Sequence, residues 1–145
     1  MKSIYETELN ISQAKAAELY ANPENSTKWM SDIKKYEPLS GRPGTRGSKF
    51  RLIPKKGKMI FTATILSREL PKKVQLKLEA SNVNVLVTGK FTALSHEKTK
   101  FVSEEEFTFK GIFNKLFGLL ARSGIKKAHH KHMDAFKKFA STANK

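Results

Sequence analysis

Apolar and polar residues alternate over residues 3–10, with Tyr5, Thr7 and Leu9 on one face and Glu6 and Glu8 on the other. That period of two predicts a half-buried strand. Residues 12–21 (SQAKAAELYA) are alanine-rich and predict a helix. Ser12 is placed to cap it, its hydroxyl accepting from an otherwise orphan backbone N–H. Asn22-Pro23-Glu24 predicts a second start, with Asn22 as cap, Pro23 in the first turn and Glu24 near the positive end of the helix dipole. This second helix reaches Trp29.

From residue 33 to 110 the pattern is that of strands. Residues 33–39 form a weak strand, followed by the turn cluster Gly41-Arg42-Pro43-Gly44. Residues 46–53 form another, broken by Pro54-Lys55-Lys56-Gly57. A long strand over 58–69 ends before Leu70-Pro71-Lys72-Lys73. In 74–80 (VQLKLEA), Val74, Leu76, Leu78 and Ala80 point one way and Gln75, Lys77 and Glu79 the other. Residues 83–95 and 98–109 complete a meander. One face of this sheet is apolar and the other charged, so it is expected to be covered on one side only.

The end of the chain predicts helix. In 112–121, Ile112, Phe113, Leu116, Phe117, Leu119 and Leu120 share a stripe. In 125–140 the stripe is Ile125, Ala128, His132, Ala135, Phe136 and Phe139. At about 100° per residue the two stripes point about 140° apart, so one straight helix cannot bury both. Ser123-Gly124 is the expected break, between a short amphipathic segment and a long helix laid on the sheet.

Composition narrows the function classes. The 145 residues fit one domain, 1–145. With no cysteine, disulfides and thiolate metal sites are excluded. The opening MKSIYETELN lacks the apolar core of a secretory leader. No apolar run approaches the roughly 18 residues of a membrane span. A cytoplasmic location is therefore expected. The net charge of +15 is the anomaly. It attracts polyanions, whether anionic lipid, acidic ligand or nucleic acid; the plainer reading is a solubilising surface.

The order of elements is strand, two short helices, about six antiparallel strands and a long C-terminal helix. It resembles the helix-grip fold of the START-like SRPBCC superfamily, nearest its polyketide cyclase/dehydrase and lipid-transport branch. Ile11-Ser12 leading through Asn22-Pro23-Glu24 to Lys28-Trp29 is similar to that family's opening. Pro43-Gly44-Thr45-Arg46-Gly47-Ser48 resembles its glycine-bearing turn, and Ile65-Leu66-Ser67-Arg68-Glu69-Leu70-Pro71 its strand ending in a proline turn. Met133-Asp134-Ala135-Phe136-Lys137-Lys138-Phe139 resembles its closing helix. The resemblance implies an α+β fold: a curved antiparallel sheet of about seven strands, with the C-terminal helix across its concave face. It also implies an apolar cavity between the two. Fold alone does not fix activity, because the superfamily includes carriers, sensors and cyclases.

By strand parity the concave face carries Phe61, Ala63 and Ile65, then Leu76 and Leu78, then Val85, Val87, Gly89 and Phe91, then Phe101, Ser103, Glu105, Phe107 and Phe109. A bulge would flip that parity locally. Small residues at Ala63, Ala80, Gly89 and Ser103 leave room between larger ones; the alternative is a core packed solid. Glu105 stands in phase with the apolar side chains. A carboxylate there loses solvation and its pKa rises, which suits a ligand's polar head or general acid–base work. The alternative turns Glu105 to solvent beside Glu104 and Glu106.

His132 falls near the middle of the final helix's stripe and His129 towards its edge, so His132 is the candidate polar group of the cavity; the alternative is a boundary histidine. With no converging third or fourth ligand, no metal and no cofactor are expected. Lys110–Leu120 (KGIFNKLFGLL) suits a lid, ordinary packing or an interfacial anchor. Leu116, Leu120 and Phe136 complete the candidate lining. Two basic clusters remain: residues 42–58, without an acid, and residues 110–145, with Asp134 alone.

Three functions follow. The first is binding or transport of a hydrophobic small molecule, such as a lipid, isoprenoid or polyketide, without catalysis. The second is a cyclase or dehydratase using Glu105. The third is a basic module on anionic membrane or nucleic acid. Nucleic acid fits least, because most aromatics follow the buried phase rather than an exposed stacking platform.

Overall fold

The computed structural model describes residues 1–111, residue 116 and residues 119–143. Strand β1 (Lys2–Leu9) alternates as its sequence does, with Ser3, Tyr5 and Leu9 buried. Helix α1 (Gln13–Ala21) begins where Ser12 Oγ accepts from the Lys15 N–H at 3.2 Å. Asn22 Oδ1 accepts from the Glu24 N–H at 3.1 Å, starting the 3-10 turn Pro23–Asn25 that runs into α2 (Ser26–Trp29). Six strands follow: β2 (Ile33–Ser40), β3 (Lys49–Pro54), β4 (Phe61–Glu69), β5 (Lys73–Glu79), β6 (Val83–Ser95) and β7 (Lys98–Phe109).

The strands form a seven-stranded antiparallel sheet in the order β1-β7-β6-β5-β4-β3-β2. Two strand starts fall later than the sequence suggests. Residues 46–48 belong to a turn, because the Ser48 hydroxyl and N–H both donate to the Thr45 carbonyl, at 2.6 and 3.1 Å. Residues 58–60 precede β4 as an unpaired approach.

Helix α3 spans Arg122–Thr142. The break expected at Ser123-Gly124 falls earlier, at the turn of Ala121 between helical residues 119–120 and the helix that begins at Arg122 and runs through Ser123 and Gly124. Gly124 lies in the first turn, where glycine costs little helix because few intrahelical bonds depend on it. Of the stripe before it, Ile112, Phe113 and Phe117 lie outside the described residues, as do the other positions of the candidate lid at 114, 115 and 118. Leu116, Leu119 and Leu120 are exposed.

The buried face of α3 is His129, Met133, Phe136 and Ala140, a helical 4-3-4 spacing. It is rotated by about one residue from the expected stripe, so His129 is the fully buried histidine and His132 stays half-buried. Besides the buried His129, several side chains bond α3 to the edge strand β1. Tyr5 Oη donates to Asp134 Oδ1 at 2.8 Å, Lys137 Nζ to Thr7 Oγ1 at 2.8 Å, and His130 Nε2 to the Ile4 carbonyl at 3.1 Å. They also cover part of an edge that would otherwise offer open backbone groups.

The interior is filled unevenly. Towards the C-terminal half of α3, Phe91 and Phe101 stack at 5.0 Å between centroids, and Phe136 lies 5.3 Å from Phe101 and 5.4 Å from Trp29. Tyr5, Leu9, Ile11, Ala16, Ala17, Met133 and Ala140 belong to the same cluster. Each fully buried ring contributes roughly 1.5–3 kcal/mol. The N-terminal half of α3 stands over smaller aliphatic side chains and leaves a hollow.

Candidate functional site

Strand register decides which side chains meet under α3. Ser3, Glu105, Val87, Leu76 and Ile65 are successive cross-strand partners over five strands. The next inward row is Tyr5, Ser103, Gly89 and Val74. Register shifts fall at Ile33/Lys35, Pro38/Ser40, Ile65/Ser67 and Ala93/Ser95; the one at Ile65/Ser67 adjoins the β4 end of the first row, and none lies between the members of either row on β1, β7, β6 and β5. Parity therefore carries Glu105 inward with the apolar residues.

A cavity of about 690 Å³ opens between this face and the start of α3. That lies within the roughly 300–1,000 Å³ of small-molecule pockets. Phe61, Leu78, Val83, Val85, Phe107 and Phe109 form its sheet wall. Met30, Ile33, Leu52 and Met59 form a second side, and Leu120, Ile125 and Ala128 come from the start of α3 and the residues before it. Its polar exceptions include Glu105, His129, His132, Asp32 and Asn82. A smaller chamber of about 60 Å³ shares Met30, Leu52, Leu78 and Glu105 with it and is walled by Leu76, Val87, Tyr20 and Met133.

The candidate lining divides accordingly. Phe61, Leu78, Val85, Glu105, Phe107, Leu120 and His132 face the large cavity, and Leu76 and Val87 face the chamber. Ala63 and Ile65 are buried in the packing of β3 and β4. Phe91, Phe101 and Phe136 belong to the solid aromatic cluster and line neither space. Leu116 is 63% exposed. Two of the small residues expected to leave room for a ligand are filled from the helices instead. A Cβ at Gly89 would lie 2.7 Å from Tyr20 Cε1, so only glycine admits that ring. Ser103 receives His129.

His129 is buried because both ring nitrogens have partners. Nδ1 meets Ser3 Oγ at 2.7 Å and Nε2 meets Ser103 Oγ at 2.9 Å. Burial, with His130 and His132 nearby, lowers its pKa to about 4, so it is neutral at pH 7. Ser103 also bonds the buried Tyr20 hydroxyl, whose pKa burial raises. Glu105 Oε2 lies 4.0 Å from His129 Nε2. Burial raises the Glu105 pKa to about 7. The cavity thus ends on a carboxyl whose pKa lies near neutrality, beside the hydrogen-bonded chain Ser3–His129–Ser103–Tyr20.

His132 sits at the rim, where Nε2 meets Asp32 Oδ1 at 3.1 Å. Ser3 and Tyr20 are not among the sequence-predicted site residues, and His129 was expected only towards the edge of the helix stripe. Ser3 shares the parity of Tyr5, which is the signal that places it inward. No group of three or more His, Asp and Glu among the described residues is placed to hold a metal. No described helix is long and apolar enough to cross a membrane.

Known proteins bear on this geometry. The model of a family described as polyketide cyclase / dehydrase and lipid transport matches residues 1–140. No curated protein matches the chain in sequence. Among solved structures, a protein of Thermus thermophilus is similar at TM-score 0.81 and 11% identity, covering 100% of both chains. The Zhui aromatase/cyclase from a Streptomyces species is similar at TM-score 0.79 and 12% identity, covering 100% of this chain and 96% of that one. Norcoclaurine synthase from Thalictrum flavum, in complex with dopamine and hydroxybenzaldehyde, is similar at TM-score 0.70 and 16% identity, covering 96% and 85%. At such identities these likenesses speak for the fold alone.

Proposed function

The chain belongs to the polyketide cyclase / dehydrase and lipid transport family, of the helix-grip superfamily, and we propose that it binds or carries a hydrophobic small molecule in the cavity under α3. One observation carries this reading: a hollow of about 690 Å³ with largely aliphatic and phenyl walls, in a fold whose other half is filled by a cluster of aromatic rings. Transfer of apolar surface from water into such walls supplies about 25 cal/mol per Å², before the entropic cost of association. Lipid, isoprenoid and polyketide-like molecules all meet that requirement.

Glu105 adds a preference. With its pKa raised to about 7, it is partly protonated at neutral pH and donates a hydrogen bond to an oxygen acceptor. A ligand with a carbonyl or hydroxyl at one end and a hydrocarbon body fits better than a plain hydrocarbon or a carboxylate, whose charge Glu105 repels once ionised.

Native mass spectrometry of the protein purified from its own host tests this reading. A retained apolar compound is expected. A chain that never holds or takes up such a compound contradicts it.

A second reading has one specific support. A carboxyl that exchanges its proton near pH 7, inside an apolar cavity, suits the acid–base steps of a cyclase or dehydratase. On that reading Glu105→Gln abolishes turnover and leaves ligand uptake in place. Unchanged turnover removes Glu105 from the mechanism.

A further inference from the structure

The cavity opens between two segments that share an unusual composition. One is the approach to β4, Lys55-Lys56-Gly57-Lys58-Met59-Ile60; the other is Leu119-Leu120-Ala121-Arg122, leading into α3. Met59 and Leu120 both line the cavity, so the two segments border one opening. Their apolar side chains are held out in water: Met59 and Ile60 are each 45% exposed, Leu119 64% and Leu120 77%. Single exposed apolar residues need no explanation, but a group of them around one opening does.

The charges beside them have one sign. Lys55, Lys56, Lys58 and Arg122 are exposed, and no acid occurs between Glu37 and Glu69 or between Glu106 and Asp134. Of the rim acids, Asp32 is engaged by His132 at 3.1 Å. Exposed aliphatic residues flanked by lysine and arginine are the composition of a surface that inserts shallowly into a bilayer and is held by anionic headgroups. The aliphatic character separates this from nucleic-acid binding. Single strands are gripped by exposed aromatic platforms, whereas the large exposed apolar residues among those described are all Ile, Leu or Met.

We infer that the mouth of the cavity, formed by residues 55–60 and 119–122, seats on an anionic lipid bilayer. The purpose of that docking rests on the cavity being a ligand site: a seated mouth passes an apolar molecule between bilayer and cavity without exposing it to water. The docking itself is measurable without any ligand.

The test is co-sedimentation of the purified chain with vesicles of phosphatidylglycerol mixed with phosphatidylcholine, and with phosphatidylcholine alone. The wild type is expected to pellet with the anionic vesicles at low salt, to be released as salt rises, and to stay in solution with the neutral ones. Ile60→Glu with Leu119→Glu changes two exposed residues that do not line the cavity, and binding is expected to weaken by about tenfold or more. Lys73→Glu with Lys90→Glu alters paired strands on the opposite face of the sheet by the same number of substitutions, and is expected to bind within about twofold of wild type. No pelleting with anionic vesicles overturns the inference. So does a loss in Lys73→Glu/Lys90→Glu, which lowers the net charge more, equal to or larger than that in Ile60→Glu/Leu119→Glu, which would make the effect one of net charge alone. So does tight binding of a single-stranded oligonucleotide that persists in Ile60→Glu/Leu119→Glu and displaces the wild type from vesicles. Uptake of a neutral apolar probe without vesicles reports on the cavity separately, so failure of docking and failure of ligand binding are told apart.

Discussion

Glu105 and His129 face each other at 4.0 Å under α3 without needing to form an ion pair, because Ser3 and Ser103 already occupy both nitrogens of the imidazole. Burial raises the carboxyl pKa to about 7 and lowers that of the imidazole to about 4. Both groups are therefore held towards their neutral forms, as expected where water is scarce and partners are uncharged.

The pH dependence of stability follows with definite signs. Glu105 has a folded pKa above its ordinary value of 4.5, so its contribution is fully present below about pH 4.5 and is lost as pH rises through about 7. His129 has a folded pKa below its ordinary 6.5, so its contribution is present above about pH 6.5 and is lost as pH falls through about 4. Between those limits the two slopes oppose each other. Urea unfolding of wild type and Glu105→Gln from pH 4 to 8 isolates the first term. The glutamine variant is expected to gain on wild type as pH rises, by about 3 kcal/mol at most across the window. A difference that does not change with pH contradicts the raised carboxyl pKa.

The two histidines one turn apart are expected to differ sharply in their mutational cost. His129→Ala leaves Ser3 and Ser103 unpaired in a buried site and opens a void, costing about 2–4 kcal/mol. His132→Ala loses only the exposed contact with Asp32, costing about 1 kcal/mol or less. Equal losses on denaturant titration would place the inward face of α3 elsewhere.

Gly89 is expected to resist substitution although its position in a strand favours a larger residue. Gly89→Ala puts a methyl group into the Tyr20 ring, which must move away from Ser103 and Phe91. A loss of about 1–3 kcal/mol is expected. Gly89→Ala in a Tyr20→Leu background is expected to cost much less, since the clash is gone. Equal costs in both backgrounds would remove Tyr20 as the reason for the glycine.

Much of this was legible in the sequence, for identifiable reasons. Ser12 and Asn22 cap where they stand because their signals are local. The inward row through Phe107, Glu105 and Ser103 was readable because β7 has no bulge to break its period of two. The orientation of α3 was harder: a stripe centred on His132, with His129 at its edge, lies about one position away, because the partners that make His129 buriable, Ser3 and Ser103, lie on strands distant in sequence. The extent of the hollow was also hidden. Parity says that Phe91 and Phe101 face inward with Phe61 and Phe107, but only packing tells which pair fills space and which borders it.

Filling the hollow tests its use as a ligand site. Val85→Trp adds bulk to the cavity wall, which Val85 lines. Fluorescence titration with the neutral probe N-phenyl-1-naphthylamine should show saturable one-to-one uptake by the wild type. The tryptophan variant, with unchanged far-ultraviolet circular dichroism, should show uptake weakened by about tenfold or more. No saturable uptake by the wild type, or equal uptake by both folded proteins, would mean that the space under α3 does not receive an apolar guest.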